Sequence, residues 1–319
     1  MSTTILFLKL FRLSFYTFFS DPKTSLSIFW YTVKSFFRVK KYHKSGHKNF
    51  TLNEFKKESK SDTIFILGSG PSINELKNSD WELISKNDSW GFNYWFCHDH
   101  IPDCFFAQSE VKSFFIDLSF FSELDNLMAQ MLIDKKVQYE KVRFYLRGDS
   151  VNDYTFHETQ FGKTILFNNF NYYFMPELVV SSKNKVRPFK LINKIHKLGF
   201  FLSTTKHSPI PKLGNTITEL ISLAIMAGYK NIVLCGIDMN DGGHFYDTEA
   251  YLNKYSYLRK LKAWSNRNVV HPHMDTSTKK YNTKEIIMDL EKFAKNKFGS
   301  QIYVSSDSSQ LYPDLPKYF

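Results

Sequence analysis

Residues Thr63-Ile64-Phe65-Ile66-Leu67 form an unbroken β-branched and apolar run that passes directly into Gly68-Ser69-Gly70-Pro71-Ser72. A run of this kind reads as a short strand buried on both faces, the sort found in a mostly parallel sheet flanked by helices. The two glycines let the backbone turn sharply and approach a ligand closely. Ser72 with Glu75 three residues on predicts a capping box, so the expected order is strand, glycine turn, helix N-terminus. Such a turn offers N–H groups and the positive end of a helix dipole to an anion. The Gly-Lys-Ser/Thr ending of a Walker loop is absent, and no third glycine completes a dinucleotide fingerprint. A tight turn before an ordinary helix is the plainer alternative.

Further runs of the same type recur along the chain. Trp90-Gly91-Phe92 ends at Asn93, Cys104 to Ala107 leads into Gln108, and Val142 to Leu146 reads as a strand. Asn215 to Ala227 has a helical apolar pattern closed by Gly228, and Asn231 to Cys235 is a buried strand running into Gly236-Ile237-Asp238. Gln301 to Val304 reads as the last strand, followed by Ser305-Ser306-Asp307-Ser308-Ser309. Open α/β sheets bind ligands at the carboxyl ends of their strands, which is where Asn93, Gln108 and Asp238 would stand. Amides there suit ribose hydroxyls or a base edge, and Ser306 and Ser309 offer hydroxyls to a carboxylate or phosphate. Phe114 to Leu132 is expected to be helical. His98-Asp99-His100 reads as a surface turn, because adjacent residues rarely converge on one metal ion.

The net charge of +11 is concentrated at one end. Residues 1–60 carry twelve Lys or Arg and three Asp or Glu, so the remainder is close to neutral and the chain does not read as a nucleic-acid binder. Ile5 to Phe19 and Leu26 to Phe37 are apolar stretches, the second ending in Arg38, Lys40, Lys41 and Lys44. The first is short for a membrane span and holds two cations, and it lacks the charge order and cleavage site of a signal peptide. The expectation is an amphipathic helix or helical hairpin lying on the inner-membrane face through residues 1–44, with a linker over 43–61. The alternative is that these aromatics pack on the main domain or on a partner chain. The division expected is an arm over 1–60 and a main domain over 61–319. Three cysteines, an odd number with no zinc spacing, suit a reducing compartment, and Cys235 reads as a buried thiol.

Gly68-Ser69-Gly70-Pro71-Ser72, then Ala227-Gly228-Tyr229-Lys230, Cys235-Gly236-Ile237-Asp238 and Phe245-Tyr246-Asp247, together resemble the glycosyltransferase family 42 bacterial sialyltransferases. The last two blocks are also similar to lipopolysaccharide-core proteins thought to add Kdo. The resemblance spans most of 62–310. It implies a Rossmann-like, modified GT-A α/β fold and an inverting transfer from a CMP-sugar without metal or other cofactor. The acceptor would be a lipooligosaccharide, lipopolysaccharide or capsular glycan, met by a cytoplasmic protein peripheral on the inner membrane. By position, Gly68, Ser69, Gly70 and Ser72 would face the nucleotide, with Gly236 and Asp238 fixing the nucleoside. Asn93 and Gln108 would hold ribose, phosphate or sugar, and Asn215 and Thr216 would lie beside the donor. Tyr246 would hydrogen-bond the departing phosphate, and His271 or His273 would be the general base. Two departures stand out: Leu213, with Lys212 beside it, replaces an Arg before the helix start, and Asn240 replaces a lid tyrosine. Competing expectations are a metal-dependent pyrophosphokinase or flagellin-glycosyltransferase-like enzyme, which shares a Gly-x-Gly-Pro-Ser turn, and a non-catalytic membrane-bound assembly protein. A homo-oligomer is left open.

Overall fold

The structure is a computed structural model and describes residues 3–44, 48–93, 95–108, 132–147, 170–181, 183–202, 208–240, 243–255, 258–259 and 280–319. Its strands are β1 (Thr63–Leu67), β2 (Asp88–Phe92), β3 (Cys104–Gln108), β4 (Arg143–Arg147), β5 (Asn171–Met175), β6 (Glu177–Val180), β7 (Ile210–Leu213), β8 (Asn231–Cys235) and β9 (Gln301–Val304). The longer helices are α1 (Thr3–Phe18), α2 (Pro22–Lys44), α3 (Leu52–Lys57), α4 (Asn78–Lys86), α5 (Pro188–Lys197), α6 (Thr216–Ala227), α7 (Glu249–Lys254) and α8 (Thr283–Phe298). Seven strands form one sheet in the order β5-β4-β3-β2-β1-β8-β9, and every described pairing in it is parallel. Strands β6 and β7 pair separately, also in parallel.

The fold is therefore the α/β sheet that the strand runs predict. Alternation along β1 shows how both faces are filled. Ile64 and Ile66 enter one apolar cluster with α1, α2, α6 and α8, while Phe65 and Leu67 enter the other with Ile73, Ile84 and Leu252. From β1 the chain steps outward through β2 to β5 on one side, and β8 and β9 later fill the other side. The order reverses between β1 and β8, which makes the carboxyl ends of those two strands the switch point where such sheets bind ligands. Leu67 pairs with Cys235, so Gly68 and Gly236 leave the sheet side by side.

Three expectations are corrected. Residues 43–61 are not a bare linker: Asn49 bridges Phe174, and Phe50, Leu52 and Phe55 are core residues. Phe55 packs at 5.3 Å from both Trp90 and Tyr145, an aromatic cluster that pulls the segment onto the sheet. The capping box at Ser72 and Glu75 does not form. Residues Pro71–Glu75 make a single tight 3₁₀ turn, and α4 begins only at Asn78, where the Asp80 carboxylate accepts from the Lys77 N–H at 2.8 Å. Lastly, His98 is buried, not on a surface turn. It lies against Trp95, with ring centroids 4.5 Å apart, and against Trp81 at 4.9 Å. The expected helix over Phe114 to Leu132 falls mostly outside the described residues.

Helices α1 and α2 form an antiparallel hairpin fixed to the sheet domain. Ser14 and Ser25 exchange bonds, each hydroxyl donating to the other's carbonyl. The hydroxyls of Ser35 and Thr32 accept from the Glu177 and Val179 N–H groups at 2.9 and 3.2 Å. These bonds satisfy the open side of β6, which would otherwise expose an unpaired edge. The arm is a helical hairpin, and its inner face packs on the main domain, as the alternative expectation had it. Among the described residues no helix is long and apolar enough to cross a membrane.

Candidate functional site

The glycine turn after β1 and the loop after β8 are knitted together. Gly68 N–H donates to the Cys235 carbonyl and Gly70 N–H to the Gly236 carbonyl, both at 2.8 Å. The Asp238 carboxylate accepts from the Ser72 N–H at 2.9 Å and from the Ser72 hydroxyl. The glycines are required by space. A Cβ on Gly68 would lie 2.6 Å from the Gly236 carbonyl oxygen, and one on Gly70 would lie 2.3 Å from an Asp238 carboxylate oxygen. The expected role of this turn is thereby modified: the amides of Gly68, Gly70 and Ser72 bond protein acceptors instead of standing free for a phosphate. No α-helix dipole points from it either, since α4 starts several residues later.

Two more segments close on the same place. Phe245 N–H donates to the Ser69 carbonyl at 3.0 Å, and the Asn74 amide donates to the Phe245 carbonyl at 3.1 Å. Tyr246 is buried there, its ring stacked on His244 with centroids 4.8 Å apart. From the loop after β9, Ser309 donates to the Ile237 carbonyl at 2.9 Å, Gln310 N–H donates to the Asp238 carbonyl, and the Ser306 hydroxyl bonds Glu75. Gly68, Ser69, Gly70, Ser72, Gly236, Asp238, Tyr246, Ser306 and Ser309 thus converge from four segments at one sheet edge. Ser306 and Ser309 are buried and hold the loops together.

Asn93 follows β2 directly, exposed and in the left-handed region at φ 55°. Met239, next to Asp238, has φ 58°. These are the two non-glycine residues with positive φ among those described, and they flank the β1 turn on either side. Asn tolerates that backbone; a side chain such as Met does so at a cost, and strain of this kind collects at functional sites. Gln108 ends β3 on the same edge. Asn215 is the N-cap of α6: its carbonyl oxygen accepts from Thr218 N–H at 3.1 Å and its amide donates to Thr283 at 2.6 Å. Its side chain is therefore committed to joining the starts of α6 and α8, and Thr216 is the first residue of α6. Lys284 continues the link by donating to the Gln310 carbonyl. His271 and His273 lie outside the described residues.

Sequence reasoning did not single out His244, and it placed His98 on a surface turn. His244 stands two residues before Tyr246, and its backbone N–H donates to the Asp247 carboxylate. Burial lowers the His244 pKa, with Asp247 pulling the other way, so the imidazole is neutral near pH 7. His98 touches Phe245 at 5.3 Å, and burial brings its pKa down to about 3. It is a packing histidine beneath the loop. Proximity to the Phe245-Tyr246 block was the available signal for His244; for His98 only the surrounding tryptophans hinted at burial. Among the described residues no three His, Cys, Asp or Glu side chains gather to hold a metal ion.

Burial raises the Asp238 pKa, and the two bonds from Ser72 only partly offset this. A carboxyl whose folded pKa exceeds its unfolded value of about 3.9 binds its proton more tightly when folded, so its contribution to stability falls as pH rises through that interval. Asparagine fits the same bonds, taking Ser72 N–H on its oxygen and donating to a reoriented Ser72 hydroxyl. Asp238→Asn is expected to fold, and its Tm relative to wild type should climb as pH rises from about 3.9 toward neutrality. A flat difference across that range would show that Asp238 is not held in the buried contact described.

No protein-family model matches the chain, and no curated protein matches it. Solved structures do show similarity. The monofunctional alpha-2,3-sialyltransferase Cst-I from Campylobacter jejuni is 18% identical, with 81% of this chain and 80% of that one covered at a TM-score of 0.42. The sialyltransferase CstII from Campylobacter jejuni, in complex with the substrate analogue CMP-3FNeuAc, is 16% identical over 81% of this chain and 88% of that one, with a TM-score of 0.36.

Proposed function

We propose that this protein is an inverting glycosyltransferase that moves a sialic acid or Kdo-type sugar from a CMP-sugar to a lipooligosaccharide, lipopolysaccharide or capsular glycan. The observation that carries this reading is the convergence of the Gly68–Ser72 turn, the Asp238 loop, the Phe245-Tyr246 segment and the Ser306–Ser309 loop at the switch point of a parallel sheet. Three of the four sequence blocks that resemble family 42 meet there; the fourth, Ala227 to Lys230, precedes β8 at the opposite end of the sheet. In this reading residues 61–319 carry the chemistry and residues 1–60 the arm.

In the reaction the acceptor oxygen bonds the anomeric carbon from one face as the bond to the CMP phosphate breaks on the other. The acceptor proton passes to a histidine, His271 or His273, and the electron pair leaves with the phosphate. Tyr246 donates its O–H to that growing negative charge without adding a cation, and no metal takes part. Asp238, fixed by Ser72, holds the nucleoside, while Asn93 and Gln108 approach ribose or sugar from the neighbouring strands.

The expected result is a thermal shift with CMP or a CMP-sugar that EDTA does not alter. Tyr246→Phe should lower turnover by about a hundredfold with the shift retained, the scale seen when one donor to a transition-state anion is lost. One of His271→Ala and His273→Ala should be inactive while still binding CMP; His244→Gln is the comparison at the histidine already beside Tyr246. Full activity in Tyr246→Phe and both histidine variants would end this mechanism. A magnesium-dependent shift with ATP would favour a pyrophosphokinase, and no shift with any nucleotide would favour an assembly protein.

A further inference from the structure

We infer that the outer face of the α1–α2 hairpin is a docking surface for an anionic lipid bilayer. The sequence alone assigns the whole arm to the membrane interface, but the structure divides it into two faces. Leu6, Leu10 and Leu13 of α1 and Ile28 and Phe36 of α2 point inward and belong to the main core. The opposite stripe of α1 carries Leu8, Phe11 and Phe15, continued by Phe19 just past its end, and that of α2 carries Leu26 and Trp30, all between 56% and 78% exposed. The two stripes adjoin, because Phe7 packs against both Phe29 and Phe37 across the hairpin at 5.9 and 6.2 Å. A surface helix ordinarily turns polar residues outward, so large aromatics at a spacing of three or four on the outer side mark a binding face.

Charge identifies the occupant. Arg12, Lys23 and Lys34 are exposed beside these rings, with the Lys34 ammonium 5.4 Å from the Trp30 ring centroid. Asp21 is the only acid in residues 1–44, and it is turned inward, accepting from the Thr24 and Lys185 N–H groups. A second copy seated by two-fold symmetry would bring these cations against themselves with no acid to pair. A bilayer with anionic headgroups accepts both the rings and the cations. No described helix can span, so the hairpin lies on the surface, held from behind by the Ser35 and Thr32 bonds to β6.

The test uses the full chain and phosphatidylcholine vesicles with and without phosphatidylglycerol. Wild type should sediment with the anionic vesicles and release as salt is raised. Phe11→Ser/Phe15→Ser should weaken that partitioning about tenfold or more, and Arg12→Gln/Lys34→Gln should weaken it about tenfold on anionic vesicles only. Brominated lipids should quench a tryptophan signal that Trp30→Phe removes, a measurement that needs no loss-of-binding variant. Wild type that ignores anionic vesicles, or a Phe11/Phe15 variant that binds as well as wild type, overturns the proposal. So does a solution dimer that the Phe11/Phe15 variant dissolves, which would give the face to a second copy. The CMP thermal shift, read on the same variants without vesicles, reports folding and the donor site separately, so the two proposals fail independently.

Discussion

Gly70→Ala is expected to destabilise the protein by about 3 kcal/mol and to abolish nucleotide binding. Gly70 has an ordinary extended backbone, φ −70° and ψ 157°, that any residue adopts. Only space demands glycine there. The added Cβ would sit 2.3 Å from the Asp238 carboxylate oxygen and 2.8 Å from the Gly236 carbonyl oxygen. Asp238 cannot swing away without dropping the Ser72 bonds, and Gly236 cannot move without dropping the bond from Gly70 itself. The β1 and β8 loops must therefore part. A fall in Tm of about 5–10 °C is the expected readout for a chain of this size. Gly228→Ala is the counterpart: its φ is 91° and a Cβ there meets nothing within 4 Å, so it should cost about 1 kcal/mol of backbone strain alone. If Gly70→Ala proves as mild as Gly228→Ala, the two loops do not meet as described, and the candidate site loses its floor.

That contrast also shows what can be read from sequence. Strands β1, β2, β3, β4, β8 and β9 were legible because parallel strands buried on both faces are short apolar runs, and the glycine after β1 and the Asp238 after β8 marked their carboxyl ends. Helix α6 was legible from its period and from Gly228. The direct contact between the two loops was not, because a glycine kept for space looks the same in sequence as one kept for φ. Ser72 and Glu75 match a capping box letter by letter, yet both side chains are taken by partners far along the chain, Asp238 and Ser306. Local pattern cannot see a bond that spans 166 residues. The arm hid its inner face for a related reason. An apolar stretch broken by a few cations satisfies both a membrane and a core, and the burial of Leu6, Leu10 and Leu13 with the bonds from Thr32 and Ser35 to β6 distinguishes which side faces which.

Lys212, beside the departure at Leu213, leads to the second large effect. Lys212 lies on β7 and Glu177 opens β6, the strand it pairs with; the ammonium sits 3.2 Å from a Glu177 carboxylate oxygen. Both side chains are buried, and among the described residues the second Glu177 oxygen has no hydrogen-bond partner. Two charges withdrawn from water are tolerated as a pair, but one left alone is not. Lys212→Met should thus cost about 3–5 kcal/mol by stranding the carboxylate under the hairpin, more than the loss of the pair's own attraction would suggest. Lys212→Met/Glu177→Leu, which removes both charges and fills the space with apolar atoms, should recover most of that loss in urea or thermal unfolding. The recovery is what tests the idea. A single variant can fail for many reasons, but a double variant as unstable as Lys212→Met would show that Glu177 is not the group being stranded. Because β7 leads through Gly214 into the Asn215 cap of α6, the double variant should also keep the link from Asn215 to Thr283 and hence the placement of the loop after β9. CMP binding retained in the double variant and lost in the single would tie the buried pair to the site through that connection.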